Sequence, residues 1–132
     1  MKVLIIDDEE AVCNMYKIKL EMEGLQVFTA LDGESGIEII KKEKPDVVLL
    51  DIIMPRLNGF DVLKLLKEDK ETKDIPVFLL TNLPQESGGE KGTELGAAGY
   101  LVKADYEPSA LAKMIKAVAW QPRRDSNPRS SP

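Results

Sequence analysis

At 132 residues the chain is sized for one domain with a core of its own. Its 43% hydrophobic and 31% charged content is ordinary for a globular protein, and no apolar run approaches the roughly 18–20 residues that span a bilayer. A net charge of −5 argues against direct nucleic-acid binding, and the absence of histidine excludes Ser-His-Asp and Cys-His catalysis within this chain, along with every His-based metal site.

Taken in chain order, short apolar runs alternate with longer amphipathic stretches. Val3-Leu4-Ile5-Ile6 predicts a first strand, ending in Asp7-Asp8-Glu9-Glu10. Glu9 to Glu23 predicts a helix, with Val12, Met15, Tyr16 and Leu20 on one face and Ile18 and Met22 widening it. Gly24 stops that helix before a second strand, Leu25 to Ala30. Gly33 to Lys44 predicts a second helix through Gly36, Ile37 and Ile40, stopped by Pro45. Val47 to Leu50 is a continuous apolar run that leads straight into Asp51.

Asn58 to Lys70 predicts a third helix, with Asn58 as N-cap and Val62, Leu63 and Leu66 as its apolar positions. Ile75 to Leu80 predicts a fourth strand, followed by Thr81-Asn82. The next segment, PQESGGEKGTELG, carries Gly88, Gly89 and Gly92, each costing a helix interior about 1 kcal/mol relative to Ala. Any helix there is expected to be the weakest of the five. Gly99 to Val102 predicts a fifth strand, ending in Lys103, and Pro108 to Trp120 a fifth helix through Leu111, Met114, Ile115 and Val118.

The first and third runs are apolar throughout rather than alternating, as strands covered on both faces are. Five β–α units in about 120 residues then imply an α/β, doubly wound (βα)5 fold, a five-stranded parallel sheet with helices on both faces. Residues 1–121 form the expected domain. The remainder, within QPRRDSNPRSSP, reads as a disordered tail, a linker stub or a cloning remnant. Met1-Lys2 leads into the first strand with no signal-peptide layout, and the single Cys13 excludes an internal disulfide. A cytoplasmic setting follows as the expectation, with Cys13 as a small packing residue.

In such sheets ligands collect at the carboxyl ends of the strands. Four of the five strands deliver a polar group there: Asp7 and Asp8, Asp51, Thr81, and Lys103. Singly, each has an ordinary explanation. The acids after the first strand could favour a helix N-terminus. Asp51 could cap a loop, Thr81 could sit in a turn, and Lys103 could be a solvated surface lysine. Together they place three acids, a hydroxyl and an ammonium in one pocket. Converging carboxylates raise one another's pKa values. A hard divalent cation relieves that, and an all-oxygen set suits Mg²⁺. With Lys and Thr as donors, the set describes a phosphoryl-binding site, and an aspartate can itself carry the phosphoryl group.

The combination IIDDEE, LLDIIMPRLNG, LLTN and GYLVKAD resembles the receiver domain of two-component response regulators over about residues 2–120. The resemblance implies the flavodoxin-like strand order 2-1-3-4-5. It makes Asp51 the phosphoacceptor, fed by a phosphohistidine on a sensor histidine kinase or phosphotransfer protein. Asp8, Asp51 and the backbone carbonyl of Ile53 would ligate Mg²⁺, with Asp7 acting through water. Thr81 and Lys103 would bond phosphoryl oxygens, Lys103 also pairing with Asp51 beforehand. Tyr100 would turn inward when Thr81 is drawn to the phosphoryl group, altering the surface of the fourth helix, fifth strand and fifth helix. A downstream effector protein or a C-terminal output domain would read that surface, with homodimerisation on phosphorylation as a further option. The implied role is a signalling switch rather than an enzyme, without membrane or nucleic-acid contact.

Ala104 stands where the family commonly has a cis-linked Pro. A cis non-Pro bond costs about 3 kcal/mol, so the Lys103–Ala104 geometry is left open. Ile53 and Leu83, two residues beyond Asp51 and Thr81, cannot orient a water, which predicts slow self-dephosphorylation. Two alternatives remain. A haloacid-dehalogenase-like phosphohydrolase would want its acids as D-x-D on one strand, whereas Asp7 and Asp8 are adjacent. A non-phosphorylated scaffold of the same fold would not need Asp8, Asp51, Thr81 and Lys103 together.

Overall fold

In a computed structural model that describes residues 1–119, the strands are β1 (Lys2–Ile6), β2 (Gln26–Ala30), β3 (Val47–Leu50), β4 (Val77–Thr81) and β5 (Gly99–Val102). They alternate with the helices α1 (Glu10–Met22), α2 (Gly33–Glu43), α3 (Gly59–Glu68), α4 (Gln85–Glu94) and α5 (Pro108–Ala119). The sheet is parallel throughout, in the order β2-β1-β3-β4-β5, as the family resemblance implied. Ile6 pairs with Ala30 and Leu50, Leu50 with Leu79, and Thr81 with Val102. Every strand therefore ends at one edge, and the strand order reverses between β1 and β3. The expected tail from residue 122 lies outside the described residues.

Two apolar layers cover the sheet. Val3, Ile5, Val47, Leu49, Phe78 and Leu80 face α1 and α5, where Leu20, Leu111 and Ile115 close the layer. Leu4, Ile6, Val48, Leu50, Val77 and Leu79 face the other way, onto Ile40, Val62, Leu63 and Leu66. Alternate residues of one strand thus serve opposite layers, which is why β1 and β3 read as unbroken apolar runs. Burying one such Leu or Ile fully is worth about 1.5–3 kcal/mol.

Local chemistry sets the helix ends near the functional edge. Asp32 caps α2 by accepting from the Ser35 amide at 2.8 Å. Asn58 caps α3 in a reciprocal box: its carbonyl oxygen accepts from the Asp61 amide at 2.9 Å, and Asp61 accepts from the Asn58 amide at 3.1 Å. Gly59 is required by proximity, because a methyl there would lie 2.3 Å from the Asp51 carbonyl oxygen.

Two elements, α1 and β4, depart from the sequence reading. On α1 the buried residues are Cys13, Tyr16 and Leu20, whereas Met15, Ile18 and Met22 are 39%, 60% and 75% exposed. At about 100° per residue, Met15, Ile18 and Met22 all fall on the side roughly opposite the Cys13–Tyr16–Leu20 stripe. β4 begins at Val77 rather than Ile75 and runs on through Thr81. The glycine-rich segment, where the sequence left a helix conditional, forms α4, with Gly88, Gly89 and Gly92 as its buried positions. No peptide bond is cis among the described residues, so Lys103–Ala104 is trans and opens a short 3-10 turn, Lys103–Asp105.

Candidate functional site at the carboxyl edge of the sheet

Asp7 and Asp51 are 2% and 8% exposed, side by side at the ends of β1 and β3. Their backbones are fixed by the sheet and its continuation. The Asp7 amide donates to Ala30 O at 3.1 Å, and the Asp51 amide donates to Ile6 O at 2.9 Å. Each carboxylate has one oxygen tied locally. Asp7 Oδ1 accepts from the Glu9 amide at 2.9 Å, and Asp51 Oδ1 accepts from the Ile52 amide at 2.7 Å. Lys103 Nζ takes the other two, at 2.5 Å from Asp7 Oδ2 and 3.2 Å from Asp51 Oδ2. Among the described residues no buried side-chain polar atom lacks a partner, which is how the core tolerates two acids.

Burial pushes the Asp7 carboxyl above its usual range, against the opposing pull of the Lys103 and Glu9 hydrogen bonds. Burial also works against the Lys103 ammonium, but the Asp7 bond and the two carboxylate charges outweigh it and hold its pKa above normal. Asp8 is exposed, and it completes a group: oxygens of Asp7, Asp8 and Asp51 all lie within 4.8 Å of one another. Three acids share one ammonium, so the cluster keeps an excess of negative charge and offers only hard oxygen donors. That set fits Mg²⁺ and leaves no soft ligand for a thiophilic metal.

Thr81 is buried at the end of β4, its Oγ1 accepting from the Leu83 amide at 3.3 Å. Tyr100, on β5, points its hydroxyl into the same loop, donating to Leu83 O at 2.8 Å and sharing that proton with Pro84 O at 3.2 Å. Burial raises its pKa, with the Asp51 and Glu86 charges adding to the effect. Ile53 stands at the mouth, 62% exposed. All the expected site residues therefore gather at one edge.

Two contributors were not visible in the sequence. The Cys13 thiol donates to the Asp7 carbonyl at 3.3 Å, from beneath the pocket. The sequence reading made Cys13 a packing residue, which its burial bears out, but gave no sign of this bond. Arg56, in the loop after Asp51, adopts φ +64 and reaches Asp32 and Glu34 at 3.7 and 3.8 Å, bridging the starts of α3 and α2. A left-handed Arg has no signal in sequence.

A doubly wound parallel sheet with an acid cluster and a lysine at its switch point defines a flavodoxin-like α/β protein with a cation- and phosphoryl-suited edge. The chain belongs to the response regulator receiver domain family, whose profile matches residues 3–116. It is 43% identical to protein PilH of Pseudomonas aeruginosa over 119 residues, which cover 89% of this chain and 96% of PilH. It is 41% identical to the probable transcriptional regulator ycf27 of Guillardia theta over 117 residues, covering 89% of this chain but 44% of that protein. Thus the chain spans nearly all of one relative and less than half of the other. Among solved structures, chemotaxis protein CheY4 of Vibrio cholerae superposes with a TM-score of 0.81 at 32% identity, covering 89% of this chain and 97% of CheY4. No helix among the described residues is long and apolar enough to cross a membrane.

Proposed function

We propose that the chain is a phosphorylation-driven signalling switch in which Asp51 accepts a phosphoryl group from a phosphohistidine. One observation carries the reading. A buried carboxylate at the end of the central strand has one oxygen fixed by the Ile52 amide and the other turned toward Lys103, beside two further acids. In the transfer, an Asp51 oxygen bonds to phosphorus as the donor's N–P bond breaks, and the imidazole leaves with the electron pair. The chain has no histidine, so the donor group lies outside it, on a sensor histidine kinase or a phosphotransfer protein.

Asp8, Asp51 and the Ile53 carbonyl would hold Mg²⁺ directly, and Asp7 through water. A bound Mg²⁺ would offset the charge of the carboxylates and the incoming phosphoryl oxygens. The remaining work falls to the chain. Lys103 keeps an ammonium facing the oxygens, Thr81 supplies a hydroxyl donor, and the Asp7–Lys103 bond keeps that lysine in the pocket whatever Asp51 carries. Phosphorylation replaces one carboxylate charge by about −2 and draws Thr81 toward it. The Thr81–Leu83–Tyr100 chain of bonds then passes the change to α4, β5 and α5. A separate effector, a C-terminal output domain or a second copy reads that face, in a cytoplasmic setting.

Mg²⁺-dependent uptake of one phosphoryl group per chain from acetyl phosphate, seen as mass gain and lost in Asp51→Asn, is the expected result. Many turnovers of donor with no retained phosphoryl group would favour the dehalogenase-like hydrolase, and no uptake would favour the scaffold.

A further inference from the structure

α4 has no apolar side chain at all: its sequence is QESGGEKGTE, and the buried positions are Gly88, Gly89 and Gly92. Helices in proteins are held chiefly by a buried apolar face, as α3 is by Val62, Leu63 and Leu66. α4 instead lays bare backbone onto β5 and its neighbours. A methyl on Gly92 would lie 2.6 Å from Leu79 Cδ1, and one on Gly88 would lie 3.1 Å from Tyr100 Oη and 3.3 Å from Phe60 Cζ. Each of the three glycines disfavours the helix about five-fold relative to Ala. On the outer face Glu86, Glu90 and Glu94 are all exposed at i, i+4 and i+8, where like charges repel. Pro84 at the N-cap supplies no side-chain bond.

Two side chains from elsewhere hold the helix down. Tyr100 Oη bonds Leu83 O and Pro84 O at its entrance, and Lys91 Nζ lies 4.9 Å from the centre of the Phe60 ring on α3. We propose that α4 is a separately opening unit, latched by the Tyr100 hydroxyl, which lifts from the sheet in the unmodified protein and uncovers an apolar floor of Leu79, Tyr100 and Phe60. The glycines are a docking surface, so the helix is both intrinsically weak and sterically bound to a close fit. Leu83 links latch and pocket, its amide donating to Thr81 Oγ1 and its carbonyl accepting from Tyr100. Opening needs no phosphoryl group, so it stands independently of the role given to Asp51.

Amide hydrogen exchange read by mass spectrometry, on the full chain without phosphodonor, tests this. Amides of residues 85–95 are expected to exchange at least about 100-fold faster than those of β3, with little dependence on urea, as for a sub-global opening. The variants separate helix propensity from docking. Gly89→Ala meets only the flexible, exposed Gln85 side chain, so α4 exchange should slow about five-fold. Gly92→Ala gains the same propensity but collides with buried Leu79, so α4 exchange should quicken. Tyr100→Phe should quicken exchange in 83–95 and leave β3 unchanged. Protection of α4 equal to that of β3 overturns the proposal, as does Gly92→Ala slowing exchange in the way Gly89→Ala does. Should Gly92→Ala not fold, the wild-type comparison and Tyr100→Phe decide.

Discussion

Lys103 gives its shorter bond to Asp7, at 2.5 Å, and its longer one to Asp51, at 3.2 Å. The ammonium is anchored on the acid next to the proposed phosphoacceptor, in a spot where all three side chains are nearly buried. The family resemblance implied the Lys103–Asp51 pair, which is present, but not the shorter bond to Asp7. The difference matters because the two acids cannot both be ionised cheaply without that ammonium.

Removing it should therefore destabilise the fold in a pH-dependent way. Breaking a buried pair costs roughly 3–5 kcal/mol, but Asp7 can take up a proton in response, so Lys103→Met should lose about 2–3 kcal/mol at pH 7 in EDTA. Asp7 already titrates above its ordinary value because of burial, and losing the ammonium raises it further. A carboxyl raised in the folded state binds its proton more tightly there. Stability then falls as pH rises from the unfolded value through the folded one. Urea titrations should find the deficit of Lys103→Met largest at pH 7 and much smaller near pH 5. An equal deficit at both would show that the lysine acts by packing alone.

A bound Mg²⁺ would supply the positive charge the cluster lacks. A ligand that binds only the folded state at 100 times its Kd stabilises by about 2.7 kcal/mol, or about 10 °C in Tm for a domain of this size. Wild type should show that rise with MgCl₂, reversed by EDTA and not reproduced by NaCl at equal ionic strength. Asp8 is exposed, so Asp8→Ala should leave metal-free stability within about 0.5 kcal/mol and abolish the rise. A full rise in that variant would remove Asp8 from the ligand set.

The layout of this fold was legible because β1 and β3 are apolar throughout and end in acids, and because Asn58 and Pro45 punctuate helices in ways that need no tertiary context. Asp51 stood out for the same reason: an acid directly after Val47 to Leu50 has to meet a partner. The misreadings share a cause as well. Met15, Ile18 and Met22 are apolar, but hydrophobicity cannot reveal which of two overlapping stripes a sheet will cover. Gly88, Gly89 and Gly92 read only as helix penalties, because the sequence cannot show that Tyr100 and Leu79 occupy the space a side chain on Gly88 or Gly92 would need. That Lys103 bonds Asp7 as well as Asp51 depends on geometry across three strands.

Cys13 provides a probe of the layer beneath the pocket. Burial, with the Asp7 charge adding to it, pushes its thiol from near 9 up to about 11, and the side chain is 1% exposed. Folded protein at pH 8 should resist iodoacetamide and react only at the rate of unfolding, whereas urea-unfolded protein reacts at once. The thiol keeps its proton more tightly when folded, so it contributes a loss of stability as pH rises from about 9 to about 11. Cys13→Ala should remove that part of the alkaline slope. Fast alkylation of folded protein at pH 8 would contradict the buried placement.

The lifetime of the phosphorylated form is expected to depend on Ile53. It is 62% exposed two residues beyond Asp51, and Leu83, two residues beyond Thr81, is half-buried. Neither side chain can accept or donate a hydrogen bond, so no protein group on either flank lines up a water for attack on phosphorus. An amide at position 53 could hold such a water, and positioning of a nucleophile is a sizeable part of most hydrolytic rates. Ile53→Asn should shorten the phosphoprotein half-life at least about three-fold in Mg²⁺ buffer, followed by phosphate release after removal of the small donor. Ile53→Ala is the control, since it opens the mouth without providing an acceptor. If Ala shortens the half-life as much as Asn, Ile53 acts by shielding the site. If Asn lengthens it, water orientation at this position plays no part.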